Sequence, residues 1–264
     1  MTDTLDQVLA DLATEGDRLE ALVADLSEEG WRTPTPAAGW DVATQVAHLA
    51  WTDEAALAAA TDKAAWDALV LAAMADPEGF VDESALTAGR VAPADLLARW
   101  RGARTTLAAA LRAHPAGEKM PWFGPPMSAT SMATARYMET WAHSLDVHEA
   151  LDAEPVVDDG IRNVAHIGVR TRGFSFAVHG LEPPTEEVRI ELTAPSGDLW
   201  SWGTEDATQS VRGSAYDFCR LVTQRVHQSD TDLVAQGREA TTWLGIAQCF
   251  AGPPGNGREA TTGG

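Results

Sequence analysis

Leu5, Val8, Leu9 and Leu12, followed by Leu19, Leu22, Val23 and Leu26, repeat at the three- and four-residue spacing of a helix with one apolar face. The spacing predicts a helix that ends before Glu29-Gly30. The stretch from Trp31 to Trp40 has two prolines and a glycine and reads as a loop, with Asp41 a natural cap for the next helix. That helix carries Val42, Val46, His48, Leu49 and Trp51 and runs, with a break near Thr61-Asp62, to about Met74. A polar connection is expected from Asp76 to Ala92. Pro93 then opens a third helix, where its missing N–H costs nothing, with Leu96, Leu97, Trp100, Leu107 and Leu111 on its face. After the proline-rich loop Met120 to Met127, Ser128 caps a fourth helix reaching about Leu151, with Tyr137, Met138, Trp141, Leu145 and His148 at helical spacing. Four long amphipathic helices make a bundle.

Beyond Glu154-Pro155 the pattern changes. A helix is expected from Asp158 to about Gly180, with Val164, Ile167 and Phe174 inward, ended by Pro183 and Pro184. Val188, Ile190 and Leu192 alternate as in a half-buried strand, and Pro195 to Asp198 turns the chain into Leu199 to Trp202, a hairpin. Further helices are expected at about Ser214–His227 and Glu239–Phe250, and the Gly/Pro/Asn segment from Gly252 to Gly257 has no period. The expected fold is mainly α with a small α+β part: residues 1–154 a four-helix bundle, residues 155–264 a smaller α+β domain with a hairpin, helices and a Gly/Pro-rich tail.

Composition sharpens this division. Of 47 alanines, 37 precede Glu154, as suits a helical half. With 39 acidic and 19 basic residues the net charge is −20, of which −15 falls up to Glu154 and −5 after it. A nucleic-acid partner needs a contiguous basic surface, so that class is set aside. No apolar run of membrane-spanning length occurs, and the first residues are acidic where a signal peptide needs positive charge, so a cytoplasmic protein without membrane contact is expected, as monomer or homodimer. Cys219 and Cys249 sit 30 residues apart on apolar segments and read as buried free thiols.

The candidate chemistry lies on the fourth helix. Glu139 and His143 are four residues apart, hence on one face, one step round from the Met138/Trp141/Leu145 core stripe. A buried carboxylate and imidazole need a partner or a metal, and the spacing alone fits a simple hydrogen-bonded pair as well as a ligand pair. His48, in an apolar stretch of the second helix, is by itself as compatible with a packed core histidine. Two histidines and one glutamate from facing helices would nevertheless make a three-ligand site with a fourth position open, the arrangement of catalytic zinc.

The Trp40-Asp41 turn with Gln45-Val-Ala-His48-Leu, together with Glu139-Thr-Trp-Ala-His143, resembles the metal-binding signature of the DinB-like superfamily, and within it the branch of mycothiol-dependent maleylpyruvate isomerase. The resemblance covers essentially the whole chain and implies a bundle coupled to a smaller α+β domain. It implies that His48, Glu139 and His143 are the metal ligands, that the metal is zinc, with nickel or iron compatible with the donor set, and that mycothiol is the cosubstrate. The implied activity is transfer of a low-molecular-weight thiol to a small electrophilic substrate, or thiol-assisted isomerisation of it. The chain departs from the isomerase pattern at residues 75–92 and in its tail, so the maleylpyruvate substrate is not carried over.

Other residues are placed around this site as expectations. Arg225 would supply positive charge toward the metal from the end of a C-terminal helix, with His227 as a proton carrier beside it. Asp146 would hold the His143 imidazole or else be solvated, and Trp122 and Phe123 would wall the substrate pocket, a placement that structural packing explains as well. Two other classes stay open: a thiol-independent metal-dependent hydrolase, lyase or cyclase acting on a secondary metabolite, and a non-catalytic metal or small-molecule binding protein.

Overall fold

The computed structural model describes residues 4–77, 79–255 and 257–261. The chain divides into two compact units, Met1–Pro155 and Val156–Gly264.

The first unit holds six helices: α1 Thr4–Val23, α2 Val42–Thr61, α3 Lys63–Ala75, α4 Phe80–Ala88, α5 Pro93–Ala113 and α6 Ala129–Ala150. α1, α2, α5 and α6 form the bundle, with α2 packed on α5 and α6, and α1 on α6. Local chemistry sets the ends. Asp41 accepts from the backbone N–H of Thr44, Asp62 from those of Ala64 and Ala65, and Ser128 from that of Ser131, so each cap satisfies a helix-start donor that has no intrahelical partner. Asp62 is also the break between α2 and α3. The polar connection expected over 76–92 is instead largely helical, as α4. Its apolar signal is thin, resting on Phe80, the fully buried Ala85 and Ala88, which is why the pattern reads as a link. Gly89 at its end lies so close to the backbone of Thr44 that a Cβ there would come within 3.2 Å, and the Arg32 guanidinium donates to its carbonyl at 2.6 Å.

Among the described residues, two apolar clusters lie apart within the bundle. One gathers Leu19, Val23, Trp31, Val46, Leu49, Leu96 and Trp100, with Val147 from late in α6; the other gathers Val8, Leu9, Ala56, Leu107, Leu111, Met120 and Met132 from early in α6. Along α2 and α6, the residues between the clusters include buried polar groups: Thr52, Asp53, Arg136, Thr140 and Ser144. Arg136 Nε donates to Asp53 Oδ1 at 2.9 Å and Nη2 to Thr52 Oγ1, with both charged side chains almost wholly out of solvent. Burial pushes the Asp53 carboxyl up and Arg136 pulls against it.

In the second unit, a 3₁₀ turn at Asp159–Ile161 leads into α7 Arg162–Arg170 and α8 Arg172–Val178. The single helix expected here is broken at Thr171, which shifts the inward face: Phe176 is buried, while Phe174, expected inward, is exposed. The hairpin is present as β1 Val188–Thr193 and β2 Leu199–Trp202, and it belongs to a larger sheet with β3 Gln209–Ser214 and β4 Val234–Gln236, in the order β2-β1-β3-β4. β1 runs antiparallel to β2 and parallel to β3. The helices expected at 214–227 and 239–250 are the shorter α9 Ala215–Val222 and α10 Arg238–Ile246. α9 stops because Gln224 takes a left-handed backbone with φ 60°. Phe218, Leu221 and Val222 are buried, and Phe218 meets Trp243 of α10 edge-on at 5.7 Å. Cys219 and Cys249 are buried free thiols.

Replacing Asp53 by alanine leaves the Arg136 charge buried without its partner, and should cost about 3–5 kcal/mol in chemical denaturation. Replacing the pair together, Asp53→Leu with Arg136→Met, should recover most of that loss.

Candidate metal centre

α2 and α6 bring His48, Glu139 and His143 to one place. Each offers one ligand atom, and the three atoms lie within 4.8 Å of one another. Glu139 Oε2 is 3.4 Å from His48 Nε2 and 3.3 Å from His143 Nε2. These separations are long for charge-assisted hydrogen bonds, yet they match the edge of a tetrahedron around a cation bonded at about 2.0–2.1 Å, which comes to about 3.3–3.4 Å. The donor set therefore fits zinc.

A hydrogen-bond chain fixes the tautomer of His143. Thr35 Oγ1 donates to the Trp40 carbonyl at 3.1 Å, so it accepts from Gln45 Nε2 at 2.9 Å. This orientation turns Gln45 Oε1 toward His143 Nδ1, which must then carry the proton and donate it. The other ring nitrogen of a neutral His143, Nε2, is left as a lone pair facing the Glu139 carboxylate. Two lone pairs do not hold each other at that distance; a cation between them, a proton or a metal ion, does.

Burial pushes the Glu139 carboxyl up, but the two imidazoles and the nearby Arg136 charge outweigh it and hold the carboxyl well below the usual range. Indole rings enclose the imidazoles: Trp40 stacks on His143 with centroids 5.9 Å apart and tilts against His48 at 5.3 Å, and Trp51 lies 6.1 Å from His48. His48 Nδ1 is buried without a hydrogen-bond partner, so its ring is positioned by these aromatic contacts.

The remaining candidates fall in different places. Trp122 and Phe123 sit on the loop between α5 and α6, whose ends are pinned by backbone hydrogen bonds between Met120 and Met127. Phe123 stacks on Trp51 at 6.4 Å, so the loop is tied to the ring beside His48. Asp146 is buried further along α6, while the Nδ1 of His143 is held by Gln45. Arg225 and His227 belong to the second unit. Arg225 lies past the end of α9, not within it, and its Nη1 donates to the Thr223 carbonyl at 2.6 Å. His227 caps a 3₁₀ turn and pairs with Ser229 Oγ at 2.8 Å. Trp40 and Gln45 stand in the sequence signature without an assigned role, and Arg136 was not singled out at all; Gln45 lies three residues before His48, one helical turn away, and that spacing was the available signal.

If Gln45 orients His143, Gln45→Leu should weaken zinc binding by roughly 10–100-fold in calorimetric titration while the helical circular dichroism is kept.

Comparison with known proteins follows the same outline. Residues 12–148 match the model of the mycothiol maleylpyruvate isomerase N-terminal domain, and residues 184–236 match a model described as wyosine base formation. Uncharacterized proteins from two strains of Mycobacterium tuberculosis are each 55% identical over 250 residues, covering 95% of this chain and 97% of theirs. Among solved structures, the mycothiol-dependent maleylpyruvate isomerase and a histidine-to-alanine mutant of it each superpose with a TM-score of 0.59 at 15% identity, over 91% of this chain and 99% of that one. The fold is shared. With a matched stretch that contains His48, Glu139 and His143, the chain belongs to the mycothiol maleylpyruvate isomerase N-terminal domain family.

Proposed function

We propose that the protein is a metal-dependent enzyme in which His48, Glu139 and His143 hold a zinc ion, with mycothiol as cosubstrate for S-transfer to, or isomerisation of, a small electrophile. The observation that carries the proposal is the pair of 3.3 and 3.4 Å separations from Glu139 Oε2 to two imidazole nitrogens, one of them on a ring whose Nδ1 is held by Gln45. Family membership and the isomerase-like fold support the thiol.

A zinc ion held by these three residues has a fourth position, where it would keep a bound thiol as the reactive thiolate at neutral pH. The protein's own groups do the rest. Glu139 brings one negative charge against the cation. Gln45 and Thr35 hold the His143 ring so that Nε2 stays directed at the site. Trp40 and Trp51 cover the imidazoles with apolar surface, which limits water and strengthens the charge interactions. Trp122 and Phe123 wall the place of the electrophile. The catalytic parts expected of Arg225 and His227 rest on the sequence alone.

Metal analysis is the first test. The purified protein should carry about one zinc per chain, and His48→Ala and Glu139→Ala should each lose most of it. Retention of full metal by both variants overturns the ligand assignment. Consumption of mycothiol with a generic thiol-reactive electrophile should then depend on zinc and fall by about 100-fold or more in the same variants. Turnover indifferent to thiol but still dependent on zinc would assign the open position to water and the protein to the hydrolase, lyase or cyclase class. Tight ligand binding without turnover would make it a binding protein.

A further inference from the structure

Five partly exposed aromatic rings lead away from the candidate metal centre: Trp40, Trp51, Phe80, Phe123 and Trp122. They come from the entry turn of α2, α2 itself, α4 and the loop before α6, so four separate segments converge to build one surface. Trp51 touches His48 on one side and, on the other, meets Phe80 edge-on at 5.4 Å and Phe123 nearly parallel at 22°. Phe123 also packs on Trp66 at 4.8 Å, Trp122 at 5.3 Å and Phe80 at 6.3 Å. Despite four aromatic neighbours it remains 40% exposed. A ring packed on so many sides would be expected to finish in the core; leaving part of it in water beside a reactive centre is the pattern of a ligand surface.

The charges near the centre point the same way. The rings against the two imidazoles are indoles, and Arg136, whose positive charge acts on Glu139, is buried and engaged by Asp53 and Thr52. In the metal-free protein, a substrate anion approaching along the aromatic surface would meet the Glu139 carboxylate, with that guanidinium already engaged.

We infer that the electrophile used by this protein carries a planar apolar group, aromatic or extended and conjugated, which lies on Trp51, Phe80 and Phe123 while its reactive end reaches the metal centre. The class is distinct from a small aliphatic dicarboxylate. The reactive end of this inference rests on the metal-dependent function proposed above; the aromatic surface does not, and the two fail separately.

Equilibrium dialysis of the full chain, zinc-loaded and metal-stripped, against 2-naphthol as a neutral planar probe and maleate as an aliphatic dianion tests the inference. The expected result is saturable naphthol binding that Phe123→Ala weakens about fivefold or more and Phe123→Trp restores, with weaker binding of maleate. Phe123 lies on a loop at the surface, and denaturation of the variant alongside the wild type confirms that it is folded. The metal-stripped wild type should bind naphthol within about twofold of the zinc-loaded protein. Naphthol binding that is indifferent to Phe123→Ala, or maleate bound more tightly than naphthol, overturns the inference. Naphthol bound as expected by a wild type that takes up no zinc upholds the aromatic surface and defeats the metal assignment instead.

Discussion

Glu139 carries a negative charge inside an alanine-rich helical bundle, and most of the geometry of the first unit serves to make that charge tolerable. A half-buried carboxylate draws positive charge to it, and here two helices direct imidazole nitrogens to the place beside its Oε2: His143 from its own helix one turn on, and His48 from α2. This requires α2 and α6 to be in register to within a fraction of a turn. The Asp53–Arg136 pair, also joining α2 to α6, fixes that register at a second point. Because the pair is buried and directional, a slide of one helix along the other breaks it outright, whereas the surrounding alanines and leucines would tolerate the slide.

The two apolar clusters supply the stability that the polar groups between them do not. Each closes one end of the bundle with large side chains, Trp31 and Trp100 in one, Leu107, Leu111 and Met132 in the other. Trp40 then connects core to chemistry: it lies in the loop that caps α2, its carbonyl accepts from Thr35, and its ring covers both imidazoles. The loop 33–41 thereby sets the ring orientation of a residue more than a hundred positions away in sequence.

The parts of this arrangement that were legible in the sequence are those with a local signature. The heptad-like stripe of α1, the capping residues Asp41 and Ser128, and the i, i+4 spacing of Glu139 and His143 are each visible within a few residues. α4 was hidden because alanine supplies most of its buried face, and alanine is as common on exposed helix surfaces here as on buried ones. β3 and β4 were hidden for a different reason: Gln209-Ser-Val-Arg-Gly-Ser and Val234-Ala-Gln lack the alternation of an amphipathic strand, and they become strands because β1 offers β3 an edge to pair with and β3 in turn offers one to β4. Gln45 carries no chemistry of its own, and only the fold reveals that it faces His143. Arg136 and Asp53 are 83 residues apart, so nothing local could have joined them.

The loop between α5 and α6 closes on itself through the paired backbones of Met120 and Met127, and the six residues between them hang from that clasp. Glu139 and His143, the candidate ligands on α6, lie beyond it. The clasp holds the start of α6 whatever residues 121–126 are, while Phe123 within them packs on Trp51. On the function proposed above, substrate recognition and reactivity would then sit on opposite sides of one short hydrogen-bonded neck, and substitution in the loop would alter the first without moving the second.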